Sequence, residues 1–368
     1  MSRFIYERPD WPKFRWDQKA LVAPLAAVRH RQGRLIGRME ALGFSLRREA
    51  VLETLTLDVL KSSEIEGEIL NPEQVRSSIA RRMGMDVAGL APSDRHVEGV
   101  VEMMLDATQN FAQPLRADRL FDWHAALFPT GRSGLHKVGV GAWRDDSSGP
   151  MQVVSGPLGR ERIHYVAPAA RRIDAEMKAF INWANLPGDT DPVLKAAIGH
   201  LWFVTIHPFE DGNGRIARAI ADWALAQSEG SPQRFYSMSA QIRQERNAYY
   251  DILEKTQKGT LDITEWLKWF LDCLDRAFEG TETALSSVFH KARFWEKHAE
   301  TPLNERQRLI LNKLLDRFEG KLTSSKWAKL AKCSQDTAHR DILDLVKDGI
   351  LIKNPAGGRS TSYSLKEA

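Results

Sequence analysis

Between positions 207 and 218 the chain reads His-Pro-Phe-Glu-Asp-Gly-Asn-Gly-Arg-Ile-Ala-Arg. The run combines a base (His207), a hard oxygen donor (Asp211), two glycines around an amide (Gly212, Asn213, Gly214) and two guanidinium groups (Arg215, Arg218). Glycines let backbone N–H groups turn toward an anion, and a helix N-terminus adds partial positive charge. Arg215 and Arg218, three residues apart, share a helix face, and their forked donors suit phosphate oxygens. Asp211 offers oxygen to a Mg²⁺ that also binds phosphates. His207 can take a proton from an incoming hydroxyl. Together these groups describe phosphoryl or nucleotidyl transfer. No Gly-Lys-Ser/Thr follows, so this is not a Walker loop.

Such a loop needs two helices to hold it. Upstream, 192–205 places Leu194, Ala197, Ile198, Leu201 and Trp202 on one face; downstream, Ile216, Ala219, Ile220 and Trp223 recur at helical steps. Pro208 favours an extended residue before it, which sets His207 at the loop entrance. Further helical periodicity covers 46–61, 95–110, 118–128, 169–184 and 263–278. The segment 139–168 is rich in glycine and proline instead. It carries two β-prone runs, Met151-Gln152-Val153-Val154 and 162–166, around the loop 155–159, the pattern of a β-hairpin with an edge open to a partner strand. The expected fold is therefore mainly α.

His207 to Arg218 resembles the signature HPFxDGNGRxxR of the Fic family, with every fixed position present. The resemblance implies a helical Fic core with a hairpin flap, and transfer of AMP from ATP to a Ser, Thr or Tyr hydroxyl of a target protein with release of pyrophosphate. It implies His207 as general base, Asp211 on Mg²⁺ and Gly212, Asn213, Gly214 and Arg215 as the anion cradle. Arg218 would lie on the γ-phosphate, Tyr249 and Tyr250 beside the nucleotide base, and Met151, Gln152, Val153 and Val154 along the target-docking edge. Gly214, where a kinase branch has lysine, argues for nucleotidyl transfer. A UMP or other diphosphate-containing donor stays open.

Ser62-Ser-Glu-Ile-Glu66-Gly67 fits the family's inhibitory pattern [S/T]xxxE[G/N], with Ser62, Glu66 and Gly67 at its fixed positions. A carboxylate paired with Arg218 would occupy the fork that orients the γ-phosphate. The resemblance also implies a second role for this glutamate in removing AMP, and it leaves a homodimer that buries the brake open. The N-terminal residues, with Trp11, Phe14 and Trp16, resemble the extra region of a bacterial subgroup, and packing on the core is expected of them.

The chain has 368 residues, enough for two or three domains, and a net charge of +4. From 303 onward 13 Lys/Arg stand against 8 Asp/Glu, so the positive charge is concentrated there. That segment reads helix, turn, helix and two short strands flanking 355–358, the outline of a winged helix. The expected division is 1–95 for an N-terminal helical region carrying 62–67, 96–280 for the catalytic core, 281–302 for a connecting helix and 303–368 for the winged-helix module. A competing reading makes the chain a DNA-binding regulator, with Gln335, Thr337, His339 and Arg340 facing a groove. Asp336, Asp341 and Asp344 oppose the approach of phosphates to that helix.

Two cysteines, Cys273 and Cys333, no signal-peptide core and no apolar run of about 18 residues suggest a reducing cytoplasm without a membrane span. His124, His136 and His164 lack metal-ligand spacing, so no zinc site is expected. His200 reads as a core histidine.

Overall fold

The computed structural model describes residues 3–85, 90–147, 149–157, 159–315, 318, 320–355 and 361–366. The chain forms two compact units, Met1–Ala284 and Leu285–Ala368. The first holds helices α1 (Gln18–Glu40), α2 (Phe44–Ile65), α3 (Pro72–Arg82), α4 (Arg95–Gln109) and α5 (Ala117–Leu127). It continues with α6 (Ile173–Asn185), α7 (Pro192–Ile206), α8 (Asn213–Glu229), α9 (Met238–Gln244), α10 (Arg246–Gln257) and α11 (Thr264–Ala284). Two antiparallel strand pairs lie between α5 and α6: β1 (Arg132–Ser133) with β2 (His136–Lys137), and β3 (Gln152–Ser155) with β4 (Arg162–Val166).

The most extensive helix packing joins α7 to α8. Asp191 caps α7 and Pro192 opens it, the residue that best tolerates a missing N–H. The sequence suggests one apolar face for α7, yet nearly every residue from Val193 to Ile206 is buried. The helix packs against α6, α8 and α11, so no side is left for solvent. Trp223, Trp266, Phe180, Phe203 and Phe209 are among the largest fully buried side chains. Each contributes about 1.5–3 kcal/mol on transfer from water.

The N-terminal residues do pack on this core. Trp11 meets Phe14 and Trp202 edge-on and donates to Glu176 Oε2 at 2.8 Å. Phe4 and Tyr6 close over Tyr165 of β4. The hairpin has a register shift between Val153 and Val154. Met151 and Val153 lie against the Phe4–Tyr165 cluster, whereas Gln152 and Val154 are exposed. Leu158 of the hairpin loop lies outside the described residues.

The second unit contains α12 (Ser286–Lys297), α13 (Glu305–Leu315), α14 (Ser324–Ala331), α15 (Gln335–Lys347) and the pair β5 (Leu351–Lys353) and β6 (Tyr363–Leu365). Thr323 and Ser334 cap α14 and α15. Ile310, Leu311, Trp327, Ile342 and Leu345 form its core. Phe294 and Trp295 of α12 pack against that core, so the segment read as a connector contributes to the unit. Residues 356–360, in the expected wing loop, lie outside the described residues. Of the three acids expected to repel phosphate, Asp341 is buried and bonded to Arg306 and Asn304. It stands three residues after Ala338 and four before Leu345, both buried, on the core side of α15. Among the described residues no helix is long and apolar enough to cross a membrane.

Candidate active site

His207 caps the C-terminus of α7 in a left-handed conformation, φ 53° and ψ 59°. That conformation is uncommon for a side chain with a Cβ and needs support from its surroundings. Arg144 supplies it. Its Nε donates to the His207 carbonyl at 2.8 Å and its backbone N–H to that of Pro208 at 2.9 Å. Its Nη2 reaches the Pro168 carbonyl at 2.5 Å and Nη1 pairs with Asp146 at 3.0 Å. Tyr165 donates to the Thr205 carbonyl at 2.6 Å, two residues upstream.

The His207 ring is oriented by its own helix. Nδ1 lies 3.2 Å from the Val204 carbonyl oxygen, which can only accept, so the proton sits on Nδ1 and Nε2 keeps its lone pair. Burial, aided by the Arg144 charge, lowers the pKa to about 4 against the opposing pull of Val204, Asp211 and Glu66. The imidazole is therefore neutral at pH 7, and the residue keeps partial exposure.

The loop is locked from within. Asn213 Nδ2 donates to the Phe209 carbonyl at 2.8 Å, while its Oδ1 accepts from the Phe209 N–H at 3.0 Å. The Asn213 side chain is thus a loop clamp, and only its backbone remains for an anion. Phe209 is fully buried, its ring stacked on His124 at 4.2 Å and 6°. Gly212 has φ 79°, and a Cβ there would press on Phe128 and Leu127. Unlike α7, α8 receives no side-chain cap among the described residues, which leaves its first turn suited to an incoming anion.

Asp211 accepts from Ser133 Oγ at 2.5 Å and from the Gly212 N–H at 2.5 Å. Its side chain is 44% exposed, open enough for a cation. One carboxylate with phosphate oxygens and water suits the octahedral preference of Mg²⁺, so the residues fit that ion.

Both arginines of α8 are buried and both are occupied. Arg218 is 2% exposed; Nε meets Ser62 Oγ at 3.0 Å, and Nη2 meets the Ser62 carbonyl and Glu66 Oε1, each at 2.8 Å. Its Nη1 is buried with no hydrogen-bond partner among the described residues. Arg215, also 2% exposed, lies over the Phe128 ring and donates to Glu68 Oε2 at 2.6 Å. Ser62, Glu66 and Glu68 come from the end of α2, where the helix closes in a Schellman turn. The Glu68 N–H returns to Ser63, that of Gly67 to Glu64, and Gly67 has φ 87°. The fixed glycine is thus the residue that ends the helix with its acids facing α8. A Cβ on Gly214 would collide with Glu66 Oε1, so a larger residue and this pairing exclude one another.

Tyr249 is 1% exposed and its hydroxyl contacts His200 Nε2 at 2.9 Å, which puts the ring in the core behind Arg218. Tyr250, 37% exposed, is the surface member of the pair, with Arg246 over its ring. Burial lowers the pKa of His200 to about 3 and that of His124 to about 4. Met151, Gln152 and Val154 of the hairpin face Glu210 and Asp211 of the loop across a groove of about 640 Å³. Arg144, Ser133 and Glu68 were not identified from sequence. Glu68 had the clearest signal, a second acid two residues after Glu66.

Residues 4–85 match a domain of unknown function, DUF4172, and residues 114–225 match the Fic/DOC family. The chain carries a Fic/DOC family domain behind a DUF4172 region. A protein adenylyltransferase Fic of Culex quinquefasciatus is 26% identical over 258 residues, 68% of this chain and 46% of that protein. One of Nematostella vectensis is 32% identical over 118 residues, 32% of this chain and 26% of that protein. The chain thus spans less than half the length of these relatives. Among solved structures, a Fic family protein from Desulfovibrio desulfuricans G20 has a TM-score of 0.60 at 21% identity, covering 96% of this chain and 98% of that one. A Fic domain containing signaling protein from Bacteroides thetaiotaomicron has 0.52 at 20%, covering 72% and 97%. These likenesses establish a mainly helical Fic-type fold.

Proposed function

We propose that this chain is an autoinhibited protein adenylyltransferase that moves AMP from ATP to a hydroxyl side chain of another protein. The observation that carries the reading is the state of His207, neutral at pH 7 with Nε2 free, beside an uncapped helix N-terminus and two buried arginines. Nε2 takes the proton of the target hydroxyl as its oxygen bonds to the α-phosphorus. The bond from that phosphorus to the bridging oxygen breaks, and pyrophosphate leaves with the electron pair. The first-turn N–H groups of α8 and Arg215 hold the phosphates, and Arg218 orients the γ-phosphate. Asp211 would hold Mg²⁺, which neutralises charge on the phosphates. The open edge of the β3–β4 hairpin receives an extended target segment.

Glu66 occupies Arg218, so ATP would bind with its α-phosphate out of line. A misplacement of about 1 Å costs about 100-fold in rate. The test is incorporation of label from α-labelled ATP, in lysate and into the protein itself, by wild type, Glu66→Gly and Glu66→Gly/His207→Ala. Strong labelling by Glu66→Gly alone supports the reading. Equal labelling by all three contradicts it. Mass spectrometry of the labelled proteins would identify the donor group, the target and the modified residue.

A further inference from the structure

We propose that the brake has two latches, and that Glu68 is the second, a positioning residue that holds Arg215 as Glu66 holds Arg218. The inference rests on the reading of these arginines as phosphate binders. The two acids flank Gly67 in one turn, and the two arginines lie three residues apart on one face of α8, so each acid meets its own partner. Glu68 Oε2 lies 2.6 Å from Arg215 Nη1, whereas the other nearby acid, Asp211, is 4.0 Å from Nη2. Arg215 is nearly fully buried, and its Nε has no hydrogen-bond partner among the described residues. Glu68 Oε2 also lies 3.3 Å from His96 Nε2 of α4, a second partner on the same oxygen. Burial alone would raise the Glu68 pKa, yet the His96 hydrogen bond and the Arg215 charge bring it below the usual carboxylate range. The carboxylate therefore stays ionised at neutral pH and competes with phosphate for Arg215.

A consequence separates two routes of release. Loss of the Glu66 side chain removes the carboxylate from Arg218, which keeps only its neutral contacts with Ser62, and leaves Arg215 engaged. Displacement of the turn frees both at once, because both acids ride on it. The fully active form is then reached by moving the end of α2, and a substitution at 66 reaches only part of it.

The experiment compares wild type, Glu66→Gly, Glu68→Gln, Glu66→Gly/Glu68→Gln and Glu66→Gly/Glu68→Asp. Calorimetry with Mg²⁺ and a non-hydrolysable ATP analogue gives Kd, AMP incorporation gives KM for ATP and kcat, and circular dichroism verifies folding. Glu68→Gln in the Glu66→Gly background is expected to tighten Kd and lower KM about fivefold, the scale of one partly exposed ion pair, with kcat nearly unchanged. Glu68→Asp, which keeps the charge, is expected to stay closer to Glu66→Gly. Kd within twofold of Glu66→Gly, or weaker, for a folded double variant overturns the second latch. If no variant transfers AMP yet Glu68→Gln still tightens nucleotide binding, the latch stands and the transfer reading falls.

Discussion

The loop from His207 to Arg218 and the β3–β4 hairpin face one groove and are built in opposite ways. The loop is over-determined. Asn213 clamps Phe209, Arg144 clamps the carbonyls of His207 and Pro208, and Phe209 is sealed beneath. The hairpin is held more loosely, through Tyr165, through Met151 and Val153 against the Phe4–Tyr165 cluster, and through Glu254, which accepts from Arg162 and lies 2.5 Å from His164 Nδ1. Val154 and Ile163 remain exposed. The contrast teaches where rigidity is needed. A base and an anion cradle must be preorganised, since their geometry sets the rate, whereas a surface that accepts a segment of another protein gains from an adaptable edge.

Substitutions should divide along that line. The largest effect is expected at the base: His207→Ala in the Glu66→Gly background lowers AMP incorporation about 10²–10⁴-fold with little change in nucleotide binding, measured by initial rates and calorimetry. Next comes the brake, where Glu66→Gly raises the initial rate about 100-fold over wild type in the same labelling assay. A hairpin substitution should be milder and of another kind. Val154→Asp is expected to reduce labelling of the target about five- to tenfold while Kd for the ATP analogue stays unchanged. A loss of nucleotide affinity there would erase the distinction between the two regions.

The smallest effect is on stability against pH. His124, His200 and His207 have pKa values of about 4, 3 and 4 in the folded protein, below about 6.5 when unfolded. The unfolded chain thus binds more protons between those limits. Their contribution is intact above about pH 6.5 and is lost as pH falls toward 4. The Tm should decline over that window, whereas His207 stays neutral and available as a base throughout pH 6–8.

The sequence disclosed the parts whose reasons are local. Ile216, Ala219, Ile220 and Trp223 announce α8 by their spacing, and the twelve-residue run carries its own chemistry. Three kinds of feature escaped it. Arg144 lies 63 residues from His207, and Ser133 lies 78 from Asp211, so only the folded chain brings them together. Tyr249 and Tyr250 look alike in sequence, but helix phase buries one beside His200 and exposes the other. Asp341 reads as a repulsive surface charge until its partner Arg306 is seen. The acid turn at 66–68 was half visible, since Glu66 fits a pattern and Glu68 gains meaning only from Arg215.

The most direct measurement is a crystal structure of Glu66→Gly soaked with Mg²⁺ and a non-hydrolysable ATP analogue. We predict the triphosphate seated on the first turn of α8, Arg218 turned onto its terminal phosphate and His207 Nε2 facing the α-phosphorus. A nucleotide bound elsewhere, or an imidazole directed into the core with Arg218 still on Ser62, would contradict it.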